Sequence, residues 1–119
     1  MKSVCAILVH VSDVTAALIW YRQAFPDAVL EVSQPSGFEF LRVGSIQLEI
    51  VPADEKVASG AAGSVVYWAV KDFQRALDHL IHAGGVLYRG PLEIDGELWM
   101  CQVRDPWGNC IGLRGPMTD

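Results

Sequence analysis

The chain has 119 residues, room for one ordinary domain and too few for two. Hydrophobic residues make up 51% and charged residues 19%, which predicts a packed core and excludes a disordered chain. The net charge is -5 with no basic run, which argues against a nucleic-acid partner and slightly favours cationic ligands.

The elements fall into two similar halves. The first opens with an apolar strand, Ser3 to Val11. Asp13 is placed to cap a helix running to about Phe25, with Val14, Ala17, Leu18, Tyr21, Ala24 and Phe25 at helical spacing, and Pro26-Asp27 stops it. Three strands are expected next, Val29 to Ser33, Gly37 to Val43 and Ser45 to Val51, with turns at Pro35-Ser36-Gly37 and Gly44-Ser45. Residues 53–63 are small and polar and read as a linker. The second half repeats the order: a strand Ser64 to Val70, then a helix capped by Asp72 with Phe73, Ala76, Leu77 and Leu80 on one face, closed by Gly84-Gly85. Strands Val86 to Tyr88, Leu98 to Arg104 and Asn109 to Leu113 follow, with a loop from Gly90 to Glu97. The whole is one domain, 1–119, of two βαβββ modules at about 1–52 and 64–115.

The last two strands are joined by Asp105-Pro106-Trp107-Gly108-Asn109. Asp, Gly and Asn suit turn geometry and Pro fixes φ at the corner, so this is a hairpin turn. No apolar stretch reaches the roughly 18–20 residues of a membrane span, so no membrane partner is expected, and the short apolar segment Val4 to Val9 lacks a signal-peptide pattern. A cytoplasmic location follows as the expectation. Cys5, Cys101 and Cys110 are odd in number and lack zinc-type spacing, which fits reduced thiols.

The stretch Asp105-Pro106-Trp107-Gly108-Asn109-Cys110-Ile111-Gly112-Leu113 resembles the D-P-x-G-N-x-(I/V)-E-L signature of the vicinal oxygen chelate superfamily. That superfamily includes glyoxalase I, extradiol dioxygenases and bleomycin-resistance proteins. The resemblance covers nearly the whole chain. It implies an α+β fold in which two βαβββ modules form a curved mixed sheet around a cleft, with the helices on the outer face. In metal-dependent members, it implies ligands on the first and last strand of each half. Counting seven residues back from Asp13 and Asp72 puts the first-strand positions at Ala6 and Val65, and the last-strand positions fall on Glu49 and Gly112. Only Glu49 has a chelating side chain, and a catalytic site usually needs three protein ligands. No metal and no cofactor are therefore expected. His79 and His82, three apart on the second helix, lack a third ligand and read as solvated surface.

Strand alternation puts Leu8 and His10, then Gln47 and Glu49, and in the second half Tyr67 and Cys110, on the cleft face, with Trp99 as a further wall. This is an apolar pocket with a few polar anchors. Glu49 reads either as a carboxylate satisfied by a neighbour, as a ligand anchor, or as a general base. His10 either donates to a neighbour or assists Glu49. Tyr67 either packs or touches ligand. Cys110 reads as an inert thiol rather than a nucleophile. Trp20 and Trp68 read as core or interface, and Trp107 as a turn residue suited to a partner surface.

The branch most similar in appearance is the metal-free bleomycin-resistance type. That resemblance implies a binding protein, a homodimer in the family's manner, that sequesters a small molecule, cationic or drug-like, in an apolar cleft. The alternative is a glyoxalase-like isomerase or lyase with Glu49 as general base. A third reading is an interaction module with no ligand cavity. The linker permits a cleft within one chain or between two chains.

Overall fold

The computed structural model describes residues 2–118. Contacts divide the chain into two compact units, one ending at Ser59 and the other starting at Gly60.

The first unit runs β1 (Ala6–Val11), α1 (Val14–Ala24), β2 (Val29–Val32), β3 (Glu39–Val43) and β4 (Ile46–Pro52). Its sheet has the order β1-β4-β3-β2. β1 and β4 are parallel and the other two pairs antiparallel. The helix starts where expected because the Asp13 carboxylate accepts from the Ala16 N–H at 3.1 Å, satisfying a donor that has no partner within the helix. It ends at the buried Ala24, where the Phe25 N–H donates to the Tyr21 carbonyl. Its buried residues are Ala17, Trp20, Tyr21 and Ala24, and the sheet buries Val11, Leu41, Leu48 and Ile50. Trp20 meets Tyr21 edge-on, with ring centroids 5.0 Å apart.

The second unit repeats this with β5 (Val66–Ala69), α2 (Phe73–His82), β6 (Val86–Ile94), β7 (Leu98–Arg104) and β8 (Cys110–Pro116). The order is β5-β8-β7-β6, again with only the first pair parallel. Asp72 caps α2 by accepting from the Arg75 N–H at 3.1 Å, the same device as Asp13. Phe73, Leu77 and Leu80 of α2 are buried, as are Cys101, Val103, Ile111 and Leu113 of the sheet. The helix packs on β7 and β8. His79 and His82 are exposed in its last turn, where a cationic side chain complements the helix dipole.

The main departure from the sequence expectation is β6. The stretch from Gly90 was expected to be loop as far as Glu97; it is strand as far as Ile94, paired with β7 through register shifts at Arg89. Two facts explain it. β6 is the edge strand, so Pro91 needs no ladder partner for its missing N–H. Gly90 absorbs the irregularity at φ 83°, and a Cβ there would meet the Met100 carbonyl at 2.8 Å.

Candidate functional site

Each sheet has one face toward its helix and one away from it, because side chains alternate along a strand. In the second unit Tyr67, Gly112 and Gln102 form one row across β5, β8 and β7, on the face away from α2. The Tyr67 ring lies on Gly112: a Cβ added there would come 2.6 Å from two ring carbons. Gln102 Nε2 donates to Tyr67 Oη at 2.8 Å, and the Cys110 thiol donates to Gln102 Oε1 at 3.5 Å. The Arg114 guanidinium stands over the Tyr67 ring, 4.7 Å from its centroid, a cation–π contact that holds the ring's outer face. A tyrosine, a glutamine and a cysteine thus form one hydrogen-bonded chain on a half-buried surface. Burial pushes the Cys110 thiol up from its usual ionisation range, opposed by the nearby Arg104 and Arg89 charges and reinforced by Asp105.

The turn that aligns β7 with β8 is held by the buried Asp105. Its Oδ1 accepts from the N–H groups of Trp107 at 2.9 Å and Asn109 at 2.8 Å, while its own N–H donates to the Asn109 carbonyl. Arg104 Nε donates to the Gly108 carbonyl at 3.1 Å. The Asn109 side chain accepts from the Gly60 N–H at 2.8 Å, tying the turn to the start of the second unit. The motif's Asp and Asn are therefore structural, and they set the register that puts Gln102 opposite Gly112. Trp107 is half-buried.

In the first unit the register brings Leu8 beside Glu49, Ala6 beside Gln47 and His10 beside Val51. Glu49 and His10 are thus diagonal neighbours on one face, and both are half-buried. Arg42 pairs with Gln47 and its Nε donates to Glu31 at 3.0 Å, a partly exposed ion pair worth little. An open depression of about 260 Å³ lined by Val14, Thr15, Leu18, Gly37, Phe38, Glu39 and Ile50 lies on the α1 side and contains none of the expected site residues.

The fold has many solved counterparts. A member of the glyoxalase/bleomycin resistance protein/dioxygenase superfamily from Sphaerobacter thermophilus superposes with a TM-score of 0.74 at 16% identity, covering 97% of this chain and 98% of that one. A glyoxalase/bleomycin resistance protein/dioxygenase family enzyme from Burkholderia phytofirmans gives 0.73 at 16% identity, over 98% and 100%. The chain has the vicinal oxygen chelate fold. TnmS3, an antibiotic-binding protein from a Streptomyces species, shares it with a TM-score of 0.71 at 23% identity, over 98% of this chain and 97% of that one. No protein-family profile and no curated protein sequence matches the chain.

The metal site of the vicinal oxygen chelate fold does not fit these residues. At the Gly112 position the Tyr67 ring fills the space a ligating side chain would need. Of the other three positions, Ala6 and Val65 cannot coordinate, which leaves Glu49 as the one ligating side chain of the set. Among the described residues no group of three or more His, Cys, Asp or Glu side chains is placed to hold a metal ion.

Of the expected site residues, Tyr67 and Cys110 come together through Gln102, and Leu8, His10, Gln47 and Glu49 share the corresponding face of the first unit. Trp99 does not join them. It pairs with Gly115 and alternates with Cys101 and Val103, so it lies on the helix-side face of β7. Sequence reasoning missed Gln102 and the arginines Arg89, Arg104 and Arg114. Gln102 was within reach: once Asp105 and Asn109 close the turn, counting outward pairs Arg104 with Cys110 and Gln102 with Gly112.

Proposed function

We propose that this chain is a metal-independent binding protein that sequesters a small molecule on the helix-free face of its sheets. The Tyr67 ring on Gly112 carries the reading, because it puts an aromatic platform where a metal ligand would stand. The platform is half-buried and keeps polar anchors in Gln102 and Cys110, the composition of a small-molecule pocket. The likeness to an antibiotic-binding protein supports a drug-like ligand. A homodimer belongs to the same reading: edge strand β6 exposes Val86, Leu87 and Tyr88, apolar surface suited to a second copy. The three free thiols fit the cytoplasm.

The test is a thermal-shift screen of an antibiotic panel, repeated with Tyr67→Ala, alongside metal analysis of the purified protein. Stabilisation that is concentration-dependent and lost in Tyr67→Ala supports the proposal. One divalent ion per chain, lost in Glu49→Gln, would overturn it.

A second reading, a glyoxalase-like isomerase or lyase, is favoured by the diagonal placement of His10 and Glu49 across β1 and β4. It requires turnover that collapses in Glu49→Gln with substrate affinity retained.

A further inference from the structure

The net charge of -5 favours cationic ligands, but the second unit's helix-free face carries the opposite sign. Arg104 is the register partner of Cys110, Arg89 of Gln102, and Arg114 of both Ala69 and Met100. All three arginines therefore share the face of Tyr67 and Gly112. Among the described residues the strand pairings put no Asp or Glu on that face: Glu93 pairs with Trp99 on the other side. Asp105, at the end of β7, is buried and turned onto the N–H groups of its own turn.

The three charges flank one hydrogen-bonded chain, with the Arg104 guanidinium held at the Gly108 carbonyl and 5.5 Å from the centroid of the Tyr88 ring. Arg114 covers Tyr67, Tyr67 accepts from Gln102, Gln102 accepts from Cys110, and Arg104 and Arg89 both act on the Cys110 thiol. With strands about 4.8 Å apart and alternate residues about 7 Å apart, all three arginine backbones lie within two such steps of Gln102. Arg89 and Arg114 are exposed, and neither has a carboxylate partner among the described residues. Leu92 and Met100, a register pair on the same face, supply apolar surface beside them.

We propose that this face binds a carboxylate-bearing small molecule, its charge taken by Arg89, Arg104 and Arg114 and its apolar or aromatic body resting on Leu92, Met100 and the Tyr67 edge. A guanidinium presents a planar pair of N–H donors that matches a carboxylate, and three of them on one apolar surface select an anion over a neutral isostere. The inference rests on the small-molecule reading above and names the class of ligand.

Benzoate, benzamide and benzamidine differ in charge and little in shape, so they separate the two claims. Each is titrated into the full chain and followed by backbone amide NMR. Benzoate is expected to shift the amides of Gln102, Cys110 and Gly112 saturably and to bind about tenfold more tightly than benzamide. The double variant Arg89→Gln/Arg114→Gln, altered only at exposed positions, is expected to keep the spectrum of the core and lose that preference. Benzamide or benzamidine binding at the same amides as tightly as benzoate would overturn the anion assignment and leave the binding face standing. A benzoate preference that survives in the double variant would remove the arginines from the site. No saturable shift with any of the three would overturn both readings.

Discussion

The Tyr67 ring rests on the α-carbon of Gly112, leaving no room for a side chain at residue 112. The glycine is therefore part of a packed arrangement and not merely a deleted ligand. Gly112→Ala is expected to cost about 1–3 kcal/mol, the usual range for forcing a methyl into an occupied space. In a Tyr67→Ala background the same change should cost under about 0.5 kcal/mol, because the two residues are in contact and their effects do not add. Urea denaturation of the four proteins measures the cycle; equal costs in both backgrounds would mean that the ring is not what excludes the side chain.

Asp105 accepts two backbone N–H bonds from a buried position. Asp105→Ala leaves both donors without their acceptor and should destabilise by about 2–3 kcal/mol, whereas Asp105→Asn, which keeps an oxygen, should lose roughly half as much. Because the turn sets the β7–β8 register, the Ala variant should also weaken the Gln102–Tyr67 bond, seen as a changed Tyr67 ring environment by NMR.

Asp13 and Asp72 cap the two helices in the same way, each accepting at 3.1 Å from the residue three positions on. Replacing either with Ala should cost about 1 kcal/mol, and replacing it with Asn or Ser only a fraction of that. Chemical denaturation of the single variants checks this; a loss confined to one helix would show that the two modules do not rely equally on their caps.

Burial pushes the Cys101 thiol from its usual 9.0 up to about 11. The folded protein thus holds this proton more tightly than the unfolded chain does. Its contribution is fully present below pH 9 and is lost as pH rises through about 11, because the unfolded chain releases the proton first. Stability should fall by about 2–3 kcal/mol over that window from this group. Cys101→Ala starts less stable because it opens a cavity, and its stability curve between pH 9 and 11 should be shallower than that of the wild type. Parallel curves would mean that Cys101 does not supply the slope.

The features legible in the chain are the local ones. Asp13 and Asp72 announce their helices because a cap acts on N–H groups three residues away. The turn at Asp105 to Asn109 announces a hairpin because its hydrogen bonds close within five residues. Alternation put Leu8, His10, Gln47 and Glu49 on one face, and the register agrees. Trp99 was expected in the cleft wall from its place after a loop, not from alternation, and the β7–β8 register puts it on the helix-side face. The loop was expected because an edge strand with Gly90-Pro91 carries too little regular pattern to reveal itself.

By itself, then, the sequence determined the βαβββ repeat, both helix caps, the hairpin turn and the absence of a ligating side chain at residues 6, 65 and 112. Tertiary structure decided what takes the vacated place. Tyr67 reaches Gly112, and Arg89, Arg104 and Arg114 reach one chain of hydrogen bonds, only through pairing of strands distant in sequence. No local propensity encodes that pairing; it follows from which faces α2 and its sheet bury together, and the charges meet on the face left over.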